Sequence, residues 1–388
     1  MRSVAGYVGL VLAFAVVTAQ ADEFVLREDC PPSFELVSDG TCQLRSLYDF
    51  YDSPDQHGGV RANLPKLESP YTPKQIDLGR YLFFDPVLSA NKDMSCASCH
   101  QLDKGLSDGL ETSLGAKQDG RHMALKRATP TLWNVGFLKR YMWDGRADTL
   151  PEQAKLPLLS EDEMGNTEEG VVAAVSEQPE YVRMFDEAFD EQPTIDNIAK
   201  ALAAFQTTLI SLNSRYDRYA HGDESALNPQ EIRGHNAFRG FVARCSQCHV
   251  PPLFTDSELA VIGAPADKQG FADPGAGKFS DDEFLQGAMR VPTLRNIGQT
   301  APYFHNGIFD NLKDVVGFYN NTRGHMAPKE QPLRIHWHVH MTKGPKLSDQ
   351  DEADIAAFLG SLTDERNLPA VPATLPSGLD SVTSLEEN

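Results

Sequence analysis

Met94-Ser-Cys-Ala-Ser-Cys-His100 decides the fold, because the chain carries its pattern twice: Arg244-Cys-Ser-Gln-Cys-His249 is the second copy. Each contains C-x-x-C-H, the attachment signature of a c-type haem. Two thiols three residues apart can each add to one vinyl group of the same porphyrin. The His that follows is held under the iron, and axial ligation sets what that iron does. One C-x-x-C alone would also suit a redox dithiol or half a zinc site. Two copies, each with His directly after the second Cys, point to two covalently attached haems. Cys96, Cys99 and His100 hold one; Cys245, Cys248 and His249 hold the other.

Around these motifs the chain has room for two domains at 388 residues. Arg2, an apolar run from Val8 to Val17 and Ala19-Gln20-Ala21 read as a signal peptide over residues 1–21, implying export to the periplasm. No later stretch is apolar and long enough to span a membrane. Of the six cysteines, Cys30 and Cys42 lie outside the haem motifs. In an oxidising compartment they most simply form a disulfide, with a redox-active pair as the alternative. A net charge of −20 disfavours nucleic acid as a partner, since phosphate binding needs basic patches.

The pattern predicts a mostly α protein. An N-terminal arm covers 22–70, a first cytochrome c-like domain 71–227, a second 228–366, and a loose Pro-rich tail 367–388. Thr72-Pro73-Lys-Gln75 and Asn228-Pro229-Gln-Glu231 are matching helix starts, each with an N-cap, Pro in the first turn and a capping-box residue. Ile198, Ala201, Leu202, Phe205 and Leu209 recur at helical spacing, as do Ile355, Phe358, Leu359 and Leu362. The duplication runs further. Thr129-Pro-Thr-Leu-Trp-Asn134 matches Val291-Pro-Thr-Leu-Arg-Asn296, and eleven residues beyond each Asn stands Gly145 or Gly307. That register sets Trp143 against His305.

It also separates the two haems. Twelve residues past Gly307 is Tyr319; twelve past Gly145 is Pro157, which has no side chain able to bind iron. The register therefore predicts one haem capped by Tyr319 and one left open above Pro157.

The two C-x-x-C-H motifs, Tyr141-Met-Trp-Asp-Gly-Arg-Ala147, Glu152-Gln-Ala154, Glu163-Met-Gly165 and Val291 to Gly307 resemble the bacterial di-haem cytochrome c peroxidase and MauG superfamily over about residues 70 to 365. In ordinary di-haem peroxidases Met occupies the position of Tyr319; in MauG-like enzymes Tyr does. Ala116 stands where many peroxidases carry a removable distal His, with His122 nearby as a remaining candidate. Tyr319, the Cys30/Cys42 arm, Asn213 to Gly222 and His336-Trp-His338 further resemble the MbnH-like branch, whose members are linked to copper-related operons and within which MbnH oxidises Trp in a partner protein.

The resemblance implies roles. Trp143 couples the haems electronically. Gln153 and Glu163 are distal groups over the open haem, where a carboxylate can move a proton from peroxide to the leaving oxygen. Asn134, Thr300 and Pro302 supply oxygen ligands for a calcium ion. It implies an enzyme that uses hydrogen peroxide to form a high-valent di-haem state and oxidises an aromatic residue of a partner protein. The competing readings are a peroxidase fed by a small cytochrome or cupredoxin, and a non-catalytic electron carrier. MauG has an aromatic residue near its partner where this chain has Ala243, so Trp133, Tyr141 and Trp337 become candidate exit points. His336, His338 and His340 alternate, placing three imidazoles on one face of an extended strand, a spacing that suits Cu or Zn as well as incidental surface histidines.

Overall fold

The computed structural model describes residues 24–45, 64–67, 70–322, 346–364 and 368–386. Its helices begin where the sequence says. Thr72 accepts a hydrogen bond from the Gln75 main chain, and the Gln75 side chain accepts one from the Thr72 N–H, closing the box that starts α1 (Pro73–Phe84). The first half continues through α2 (Cys96–Cys99), α3 (Leu150–Leu159), α4 (Glu168–Ser176), α5 (Pro179–Phe189), α6 (Ile195–Gln206) and α7 (Arg215–Ala220). An Asn228/Glu231 box opens α8 (Pro229–Arg239), followed by α9 (Leu312–Thr322) and α10 (Asp349–Gly360). Three short antiparallel pairs complete the described architecture: β1 (Phe34–Leu36) with β2 (Cys42–Leu44), β3 (Leu114–Gln118) with β4 (Arg121–Ala124), and β5 (Leu259–Ala260) with β6 (Met289–Arg290).

The internal repeat is visible in the packing. Helix α1 crosses α6 at Gly79, where an added Cβ would lie 1.8 Å from the Ala201 carbonyl oxygen. Helix α8 crosses α10 at Gly234, where it would lie 1.9 Å from the Asp354 oxygen. Only a residue without a side chain permits so close an approach. The backbone repeats as well: Asn134 and Asn296 have φ of 59° and 57°, Met142 and Phe304 of 65° and 71°, Gly145 and Gly307 of 69° and 58°. Isolated bridges Tyr141 to Ala147 and Tyr303 to Phe309 close the same loop in each half.

Each half has its own core. Leu78, Leu82, Phe83, Ile198, Leu202 and Phe205 anchor the first; Phe238, Phe254, Ile355, Phe358 and Leu362 anchor the second. Helix α7 lies before the expected boundary at 227/228, yet Tyr216 packs in the second core and Asp217 pairs with Arg295. Packing thus passes to the second half ahead of the Asn228 helix start.

Cys30 and Cys42 form the expected disulfide, closing the β1–β2 hairpin. The arm is docked: Leu26, Phe34 and Cys42 are buried, and the Cys42 N–H donates to the Tyr71 carbonyl at 2.8 Å. The C-terminal segment corrects the reading of a loose tail. Leu375 is buried in the first core, Ser377 Oγ donates to Asp85 at 2.8 Å, and Ser95 and Ser98 hydroxyls donate to the Val382 carbonyl at 2.7 and 2.8 Å. Its anchors are serines and main-chain carbonyls, which leave no periodic signal.

Candidate active site

A single helical turn explains why C-x-x-C-H works as a unit. In α2, Cys96 and Cys99 are three residues apart and share a face, and the His100 N–H donates to the Cys96 carbonyl at 2.9 Å. All three residues line a cavity of about 690 Å³ in the first half. In the second half the His249 N–H donates to the Cys245 carbonyl at 3.0 Å, and Cys245, Cys248 and His249 line a cavity of about 190 Å³.

Both histidines are oriented the same way. His100 Nδ1 lies 2.9 Å from the Leu106 carbonyl, and His249 Nδ1 lies 3.0 Å from the Phe254 carbonyl. Donation from Nδ1 leaves the Nε2 lone pair for a metal, and burial lowers both imidazole pKa values, which favours that neutral ligand form. Leu106 and Phe254 sit at φ of 60° and 55°, a conformation that branched or bulky residues rarely adopt. Threonine hydroxyls hold the preceding residues in place: Thr131 donates to the Gly105 carbonyl at 2.7 Å and Thr293 to the Leu253 carbonyl at 2.6 Å. These threonines belong to the duplicated Pro-Thr-Leu-x-Asn stretch, so the signal for them was present in the sequence, although their role in aiming the histidines was not.

The residues fit a covalently held haem. Cys96 and Cys99 are half-buried, and desolvation pushes their thiols up to about 12, so they present as neutral sulfur beside the histidine. Gln153 Oε1 is buried in the first half with no hydrogen-bond partner among the described residues, in the cavity that Cys96 and Cys99 line. Such an atom calls for a donor that the protein does not supply.

Gln153, Pro157 and Glu163 line that first cavity together, the first two from α3. Burial raises the Glu163 pKa; Arg146 opposes the shift and Asp162 adds to it. Trp143 borders both cavities, its indole N–H donating to the Ala128 carbonyl at 2.8 Å and its ring centroid 6.3 Å from that of His305. Tyr319 lines the second cavity on α9, and burial pushes its phenol pKa well up. Part of the first cavity's wall comes from the second half: Phe271, Asp273, Lys278 and Phe279 reach over it, and Asp273 holds Arg127 with bonds of 2.7 and 2.8 Å.

Other expected residues fall elsewhere. His122 sits on β4 with its Nδ1 2.7 Å from the Gly115 carbonyl and is not among the residues lining the cavity. Thr300 and Pro302 line the second cavity, whereas the Asn134 side chain is bonded at both ends to Ser211, at 2.9 Å each. Trp133 and Tyr141 are 1% and 2% exposed, so neither can touch a docked protein directly. Trp337, His336, His338 and His340 lie outside the described residues.

Two attachment motifs with matched histidines, one roomy cavity carrying Gln153 and Glu163, and a tryptophan between them define a di-haem oxidoreductase site. The comparisons agree. The family model for di-haem cytochrome c peroxidases matches residues 73–225. MauG of Methylorubrum extorquens is 34% identical, over 78% of this chain and 83% of its own length. A cytochrome c551 peroxidase of Nitrosomonas europaea is also 34% identical, over 84% of this chain and 91% of its own. A solved MauG-like protein associated with microbial copper homeostasis superposes with a TM-score of 0.69 at 29% identity, covering 82% of this chain and 97% of that one. The chain belongs to the di-haem cytochrome c peroxidase family that includes MauG. It is a peroxide-dependent di-haem oxidoreductase, and membership implies two c-type haems.

Proposed function

We propose that this enzyme uses hydrogen peroxide to oxidise an aromatic residue, Trp or Tyr, of a partner protein, as a MauG/MbnH-like enzyme. One observation carries the reading: Pro157 lines the first cavity and Tyr319 the second. Pro157, which has no side chain able to bind iron, would leave a haem held by His100 open to peroxide. Tyr319 would hold the iron of a haem bound at the second motif through its phenolic oxygen, an anionic ligand that would favour the ferric state and suit a site that stores an oxidising equivalent.

Haems held by Cys96, Cys99 and His100 and by Cys245, Cys248 and His249 would supply the iron chemistry that cleaves peroxide and stores oxidising equivalents. Glu163 accepts a proton from peroxide and returns it to the leaving oxygen; burial raises its pKa, which favours holding the proton between the two transfers. Gln153 hydrogen-bonds the peroxide oxygens through its unpartnered Oε1 and its amide. Trp143 carries electrons between the cavities it borders. Hydrogen peroxide, two electrons and two protons give two waters. The partner's aromatic ring supplies the electrons and takes up oxygen from water.

Around the second motif the surface suits protein docking: Phe241 is 84% exposed, with the Arg244 guanidinium 3.8 Å from its ring centroid, and Val242 and Val250 are exposed as well. Aromatic and arginine side chains are enriched at such interfaces. The likeness to the copper-homeostasis protein suggests a partner with a copper link. Export through residues 1–21 places the reaction in the periplasm, and no helix among the described residues is long and apolar enough to cross a membrane. Asn134, Thr300 and Pro302 are the proposed calcium ligands, which chelation followed by spectral change would test.

Peroxide treatment of the loaded enzyme with candidate partners, followed by peptide mass spectrometry, tests the reading through oxygen added to Trp or Tyr. The similarity to cytochrome c551 peroxidase favours a second reading, a scavenger fed by a small cytochrome or cupredoxin. Fast turnover with reduced cytochrome c, and no modified partner, would select it.

A further inference from the structure

Two arginines of the second half are almost completely buried, and their surroundings differ. Arg295 is 0% exposed and is paired with Asp217, Nη2 to Oδ1 at 2.8 Å, while its Nε donates to the Pro252 carbonyl at 2.8 Å. Arg290 is 4% exposed, and among the described residues it forms no ion pair. Among the described residues its guanidinium hydrogen-bonds two carbonyls, Met142 at 3.3 Å and Val291 at 3.5 Å, both at the long edge of a hydrogen bond. Two other arginines of the first cavity's wall are matched: Arg127 pairs with Asp144 and Asp273, and Arg146 with Asp144. Burial pushes even the Arg290 guanidinium down to about 10. A buried charge is ordinarily paired, and one left alone is strongly destabilising. Arg290 therefore wants an anion that the described chain does not provide.

Its position says where the anion comes from. Strand β6 ends at Arg290, whose main-chain N–H donates to the Trp143 carbonyl at 2.7 Å. Arg290 borders both cavities, as Trp143 does. Each haem brings carboxylates, its propionates, into its cavity. A guanidinium has five N–H donors in a planar fork, enough for two carboxylates at once.

We propose that Arg290 is the shared counter-charge of both haems, taking a propionate from each cavity and tying the two redox centres together electrostatically beside Trp143. It is a positioning residue, and its role holds whatever the axial function of Tyr319 or the identity of the protein substrate.

A positive charge between the centres favours the reduced iron of each. Arg290→Gln should therefore lower the reduction equilibrium constant of both haems at least tenfold, about 59 mV for a one-electron couple. Arg290→Lys, which keeps the charge, should recover most of that loss. Spectrally resolved redox titration of the loaded variants reads both values. Unchanged potentials, or a shift confined to one haem, would overturn the proposal. Should Arg290→Gln fail to take up haem, the structure of the loaded parent decides the matter. Guanidinium nitrogens within about 3.2 Å of a propionate oxygen from each haem support the assignment; contact with one haem or neither refutes it.

Discussion

Replacing Glu163 with Gln isolates the proton chemistry of the first cavity. The substitution keeps the shape of the side chain, so Gln153, Pro157 and the cavity wall stay as they are, and only the capacity to accept a proton is lost. A positioned general acid–base contributes about 10²–10⁴-fold. At about 1.36 kcal/mol per decade, that is roughly 3–5 kcal/mol of transition-state stabilisation. Stopped-flow mixing of the ferric enzyme with peroxide, without reductant, should show the bimolecular rate fall by that factor. The pH profile supplies a second readout. Burial raises the Glu163 pKa, so the ionised form is lost at a higher pH than for an exposed glutamate, and the parent rate declines as pH drops through that value. The variant has no such limb. The same shift has a sign for stability: a carboxyl raised in the folded state contributes stability below its unfolded pKa, and this is lost as pH rises through the folded value. Above it, Glu163→Gln should unfold at an equal or higher denaturant concentration than the parent. A variant within threefold of the parent rate, with the acid limb intact, would refute the role given to Glu163.

Gly79→Ala and Gly234→Ala each force a Cβ into an opposing carbonyl and should cost at least about 1–3 kcal/mol by denaturant titration, the two changes affecting their own halves; tolerance of either would mean that crossing is looser than described. Leu375→Ala should cost about 2–5 kcal/mol. Truncation after Asn367 should also loosen the first motif, read as altered absorption of that haem, because Val382 no longer holds Ser95 and Ser98. Reduction of the Cys30–Cys42 disulfide, which closes a loop with a sequence separation of 12, should cost roughly 3 kcal/mol in unfolding experiments while leaving haem spectra unchanged.

Much of the site was legible because the chain repeats itself. The two C-x-x-C-H motifs marked the haem sites, the matching capping boxes marked the helix starts, and one register paired Pro157 with Tyr319, which line the first and the second cavity. What stayed hidden depends on contacts without period. The docking of residues 368–386 rests on hydroxyls and carbonyls. The reach of Phe271 to Phe279 over the first cavity joins segments more than a hundred residues apart, as Arg127 to Asp273 shows. The isolation of Arg290 is a property of its surroundings, and nothing in Met289-Arg290-Val291 announces it. The Asn134 amide turned out to span to Ser211, a partner 77 residues away.

The central claim is that the two haems are unequal because Tyr319 closes one. Electron paramagnetic resonance of the fully oxidised protein tests it most directly, with Tyr319→Met beside the parent. The account predicts one high-spin and one low-spin signal in the parent, with the low-spin signal alone changed by the substitution. Two low-spin signals in the parent, or a variant spectrum identical to it, would contradict the claim.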